Sequence, residues 1–63
     1  MLWLSEVMLQ NQELESFEDL KVELGKRAKA GELFFQMDVK PGYADTPDDW
    51  QDKCEAAFTA RQE

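Results

Sequence analysis

Sixty-three residues with 14 acidic and 7 basic side chains give a formal charge of −7. That balance opposes the phosphate neutralisation on which direct nucleic-acid binding rests, and it disfavours an anionic membrane surface. Cys54 is the sole cysteine and histidine is absent, which excludes an intrachain disulfide, a Cys/His zinc site and the usual His-assisted nucleophiles. The chain therefore reads as one small domain over 1–63, near the size at which a single core stops sufficing. With disulfide and zinc removed, a partner chain is the remaining staple, so a homodimer is expected. The lone thiol fits a reducing cytoplasm.

Residues 1–15 read as an N-terminal arm of ambiguous period. Leu4, Val7, Met8 and Leu14 fit a helical stripe, whereas Met1, Trp3, Val7 and Leu9 fit one face of a strand. The opening MLWLSEVML is short, lacks a basic leader and carries Glu6, so it reads as neither a secretory signal nor a membrane span. The polar run Gln10, Asn11, Gln12, Glu13 reads as a connector.

Ser16, with Asp19 three residues on, resembles a capping box and predicts a helix over about 17–30. Phe17, Leu20, Leu24 and Ala28 form its apolar stripe. Glu18, Asp19 and Glu23 lie toward its start and Lys26, Arg27 and Lys29 toward its end, in keeping with the helix dipole. Gly31 is placed to close it in the left-handed region.

The stretch ELFFQMDVKPGY follows. Its alternation predicts a strand over about 32–39, with Leu33, Phe35, Met37 and Val39 on the core face and Phe34, Gln36, Asp38 and Lys40 opposite. Pro41-Gly42 fits a type II turn. Thr46 as N-cap, Pro47 at the first helical position and Asp48 and Asp49 in the first turn predict a second helix over about 47–61. Its stripe is Trp50, Cys54, Ala57 and Phe58. The carboxylates Asp45, Asp48, Asp49 and Asp52 lack the spacing of a calcium loop and suit a helix N-terminus, so no metal and no cofactor is expected.

A single strand needs a partner for its backbone. Pairing with its own copy across a two-fold is the simplest solution, and the N-terminal arm supplying a second strand is the alternative. The expected fold is α+β and mainly helical, with two amphipathic helices and one short strand per chain in an intertwined homodimer. Phe17, Leu20, Leu24, Leu33, Phe35, Met37, Val39, Trp50, Cys54 and Phe58 are the candidate dimer core.

The apolar start MLWLSEVML, the strand GELFFQMDV and the capped segment TPDDWQDKCEAAF resemble, in whole-chain character and length, the small early-region accessory proteins of lambda-like temperate phages, encoded between the recombination and excision genes. The resemblance implies a cytoplasmic protein of the infected bacterium that promotes lytic development, with a compact helix-and-strand dimer. It carries no catalytic or ligand-binding motif.

The sequence thus reads as an interaction protein rather than an enzyme. Trp3, Leu4, Phe34 and Tyr43 are the candidate apolar cleft for a host or phage regulatory protein. The alternative is an acidic decoy that mimics phosphate charge and occupies a nucleic-acid-binding protein.

Overall fold

A computed structural model describes residues 1–59. The two periods of the N-terminal stretch are both used, one after the other. Leu2–Trp3 form a short strand, β1, and Leu4–Gln10 form a helix, α1. Leu2, Leu4 and Val7 are buried, with Met8 and Leu14 packed against them, while Met1 and Leu9 face out. The helical stripe therefore governs α1, and the strand alternation survives only where Leu2 turns inward and Trp3 outward. Asn11 ends α1: its side-chain amide donates to the Val7 carbonyl at 2.8 Å. The Leu14 N–H then donates to the Asn11 carbonyl at 3.1 Å, closing the polar connector into a turn.

Phe17–Lys29 form α2. The Ser16 hydroxyl accepts from the Asp19 N–H at 3.1 Å, as a capping box requires. The reciprocal bond is displaced by one residue, because Asp19 Oδ2 accepts from the Glu15 N–H at 3.2 Å. At the other end the Gly31 N–H donates to Ala28 and the Glu32 N–H to Arg27, a Schellman closure with Gly31 at φ 117°. Phe17, Leu20, Leu24 and Ala28 are all buried.

β2 is Phe35–Gln36, shorter than the 32–39 that alternation suggests. It pairs in parallel with β1, Leu2 opposite Phe35 and Trp3 opposite Gln36. Of the strand's two candidate partners, the N-terminal arm thus occupies one edge within the chain. Phe35 and Met37 are half-buried against the core, whereas Leu33 is 65% and Val39 39% exposed. A two-residue ladder holds only its own length to the pleat, so Leu33 and Val39 lie outside it.

Gly42 does not take a positive φ, so Pro41-Gly42 does not form the type II turn. The chain instead turns later, the Thr46 N–H donating to the Tyr43 carbonyl at 3.1 Å. That shift has a cause in Asp45, whose Oδ1 accepts from the Phe17 N–H at 2.7 Å and ties this loop to the first turn of α2. Trp50–Thr59 then form α3, starting three residues after the expected Pro47. The Asp49 carbonyl is an early acceptor, from Lys53 N–H at 3.1 Å, and the buried Thr46 hydroxyl caps nothing. Residues 60–61 of the expected helix lie outside the described residues.

The architecture is α+β and mainly helical: among the described residues there are three helices and one two-stranded parallel sheet, in the order β1-α1-α2-β2-α3. α3 lies against α2, and its Cys54 and Phe58 complete a core with Leu2, Leu4, Val7, Phe17, Leu20, Leu24 and Ala28. Phe58 stacks on Phe35 with ring centroids 5.1 Å apart, which ties α3 to the ribbon. No polar or charged residue is buried among those described, so burial of these side chains, about 1.5–3 kcal/mol each, is the main stabilising term. Among the described residues no helix is long and apolar enough to cross a membrane.

Candidate functional site

The β1–β2 ribbon has two dissimilar faces. Leu2 and Phe35, directly opposite one another, turn toward the helices, so alternation sends Met1, Trp3, Phe34 and Gln36 to the outer face. Exposure follows: Met1 is 66%, Trp3 43% and Phe34 65% exposed. Large apolar side chains at this density on one short ribbon are the feature of the surface that stability does not explain.

A groove flanks the ribbon on each side. One, of about 360 Å³, is lined by Leu33, Phe34, Phe35, Met37, Phe58, Glu55 and Thr59, and its floor is the Phe35–Phe58 stack. The other, of about 450 Å³, is lined by Trp3, Leu9, Ser5, Glu6 and Asp38. The first combines five apolar side chains with Glu55 and Thr59 and exposes polar and apolar atoms in similar measure; the second joins an indole and a leucine to two carboxylates.

Asp38 is held in place by the start of α1. Its Oδ2 accepts from the Ser5 hydroxyl at 2.6 Å and its Oδ1 from the Ser5 N–H at 3.1 Å. Ser5 is the second residue of α1, whose first N–H groups have no partner inside the helix, so Asp38 acts as a cap supplied from 33 residues away. These bonds favour the carboxylate and lower its pKa below the ordinary value of 3.8, the Ser5 hydroxyl contributing most. At the far end of α1, Arg27 joins Gln10 at 3.1 Å and Glu23 at 2.9 Å, which fixes α1 to α2.

The candidate cleft residues do not meet in one place. Trp3 and Phe34 share the outer face of the ribbon but line different grooves. Leu4 is fully buried in the core, because it heads the apolar stripe of α1, and it is not available to a partner. Tyr43 is half-buried against the core on the α2 side; burial, with the Asp19 charge second, pushes its phenol pKa up. Of the candidate dimer core, Phe17, Leu20, Leu24, Cys54 and Phe58 are buried within the single chain and Phe35, Met37 and Trp50 pack against them. Leu33 and Val39 are the exposed members.

Leu9, Ser5, Glu6 and Asp38 are the groove residues that the sequence did not single out as a site. Leu9 carried a signal, since it falls with Trp3 on the strand-period face of the arm. The Ser5–Asp38 bond spans 33 residues and leaves no local trace.

The chemistry of the remaining reactive groups is muted. Cys54 is fully buried, and that burial pushes its thiol pKa up to about 11, only partly opposed by the Lys21 charge. Among the described residues no three His, Cys, Asp or Glu side chains come together as cation ligands. Comparison with protein families, with curated protein sequences and with solved structures finds no match to this chain.

Proposed function

We propose that this chain is a binding module: a homodimer that grips a host or phage regulatory protein through the apolar surface of its ribbon, with no catalysis of its own. The single observation that carries the reading is the exposure of Leu33 and Phe34, 65% each, beside a groove floored by the packed Phe35 and Phe58 rings. Aromatic anchors beside a preformed groove supply most of the binding energy at protein interfaces. Action in the cytoplasm of an infected bacterium, in favour of lytic development, rests on the resemblance of MLWLSEVML, GELFFQMDV and TPDDWQDKCEAAF to the lambda-like early accessory proteins.

The free edge of β2 supports the dimer. The Leu2 N–H donates to the Phe34 carbonyl at 2.8 Å. In a parallel ladder this bond points the N–H and C=O of Phe35 away from β1, toward an edge with no strand on it among the described residues. Antiparallel pairing of that edge with its own copy is isologous and gives a four-stranded sheet with β1 at each rim. Each protomer then keeps its own core, and the intertwining is confined to the sheet and to Leu33 and Val39.

The test is affinity capture from a bacterial lysate with tagged wild-type protein and with Phe34→Ser, washed at low and then high salt. The reading expects a partner that survives high salt on the wild type and is lost from Phe34→Ser, with circular dichroism unchanged. Equal retention by both sinks the apolar anchor. A nucleic-acid-binding protein released by salt and displaced by duplex DNA identifies the acidic decoy instead. Sedimentation of the purified chain at micromolar concentration checks the dimer, which a folded monomer refutes.

A further inference from the structure

We infer that the groove between Trp3, Leu9, Glu6 and Asp38 is a receptor for a basic side chain, an arginine or lysine presented by an otherwise apolar segment of a partner protein. The inference rests on the reading of the chain as a binding module and assigns the chemistry of one of its contacts. Its ground is charge complementarity. Of the five residues lining the groove two are acidic, none is basic, and two are the large apolar side chains Trp3 and Leu9, 43% and 70% exposed. A guanidinium or ammonium group is the group whose chemistry uses all of them. Its alkyl stem lies along Leu9, its cation faces the indole ring, and its N–H groups reach the carboxylates.

The site is built rather than incidental. Asp38 is pinned by two bonds to Ser5, which fix its position at the groove wall and keep it charged down to low pH. Trp3 is fixed by the ladder, Gln36 opposite it, while Glu6 and Leu9 lie on α1, one turn apart. The surrounding charge of −7 draws cations toward the whole surface, and only this groove among the two beside the ribbon adds an aromatic face to a pair of carboxylates. The Leu33–Phe34 groove, by contrast, offers Glu55 alone.

The probe is a short acetylated and amidated amphipathic Leu/Arg peptide, and its control is the same peptide with citrulline in place of each arginine, which keeps the shape and removes the charge. Binding is mapped on the full chain by amide and indole chemical shifts and quantified by titration. The expected shifts centre on the Trp3 indole N–H, Ser5 and Leu9, with the citrulline peptide weaker by about tenfold. Glu6→Gln weakens the arginine peptide several-fold, and Phe34→Ser leaves it unchanged. Equal affinity for the two peptides, or shifts centred on Leu33 and Phe34, overturns the assignment while leaving the binding-module reading in place. Absence of shifts with either peptide at millimolar concentration also overturns it, and the capture experiment then decides the module reading separately.

Discussion

Gly25 is the ninth residue of α2 and lies where that helix meets α3, so its replacement by alanine tests both the helix and the packing. Its φ is not positive, and a Cβ built there meets the Ala57 carbonyl oxygen at 3.8 Å, an ordinary van der Waals contact. No side chain needs to move. Alanine removes the conformational freedom that glycine gives the unfolded chain, a gain of about 1 kcal/mol at an internal helical position. For a domain of this size that raises the melting temperature by roughly 4–8 °C. The assay is urea denaturation followed by circular dichroism at a fixed protein concentration, because the proposed dimer would make stability concentration-dependent. With a slope of about 1 kcal/mol per molar urea, the midpoint moves up by about 1 M. Gly31→Ala is the control of opposite sign, because φ 117° is a conformation open to glycine and strained by about 1–3 kcal/mol for alanine. If Gly25→Ala destabilises the protein, α2 and α3 approach more closely than this geometry allows, and the packing argument fails. If the two variants change stability alike, the distinction between their backbone conformations is refuted.

Asp38 and Cys54 make further tests. The folded pKa of Asp38 lies below its unfolded value, so its contribution is present above about pH 4 and is lost as pH falls through the depressed folded value. The stability difference between wild type and Asp38→Asn should therefore be constant above that window and shrink below it. An NMR titration of the Asp38 carboxyl carbon with a midpoint at or above 3.8 refutes the Ser5 cap. Cys54, fully buried with a thiol pKa of about 11, should resist iodoacetamide at neutral pH and react in urea. Complete alkylation of the native protein within minutes, read by intact mass, contradicts the burial.

Legibility from sequence followed the range of each interaction. α2 was readable because its stripe, cap and closing glycine all lie within its own turn of chain: Phe17, Leu20, Leu24 and Ala28 are buried where their spacing placed them. The arm was harder because its two residues of strand and seven of helix superimpose two periods on one short segment. Thr46-Pro47-Asp48-Asp49 had every mark of a helix start, yet α3 begins at Trp50. Asp45 is engaged at the Phe17 amide instead, a contact across 28 residues that propensity does not encode. Asp38, expected only on the polar face of a strand, likewise turns out to cap α1. The arm as a second strand was one of two options that alternation alone could not separate, and its parallel direction and Leu2–Phe35 register were not legible in the sequence.

Both remote caps change how the acidity of the chain is to be understood. Asp38 and Asp45, neither of them in a helix, each satisfy an N–H group at the start of one, and both do so from the segment that follows β2. Without that segment, the first turns of α1 and α2 keep orphan donors, and the ribbon loses the brace that holds Trp3 beside Asp38. Two of the 14 acidic residues are thus spent on architecture, and Asp19 adds a third through Glu15. Glu6 is different: it stands in the first turn of α1, on the wall of the Trp3 groove, and its carboxylate makes no ion pair or hydrogen bond to another described residue. An exposed carboxylate beside an exposed indole, next to a second carboxylate already locked in position, gains most from a cation brought by another molecule.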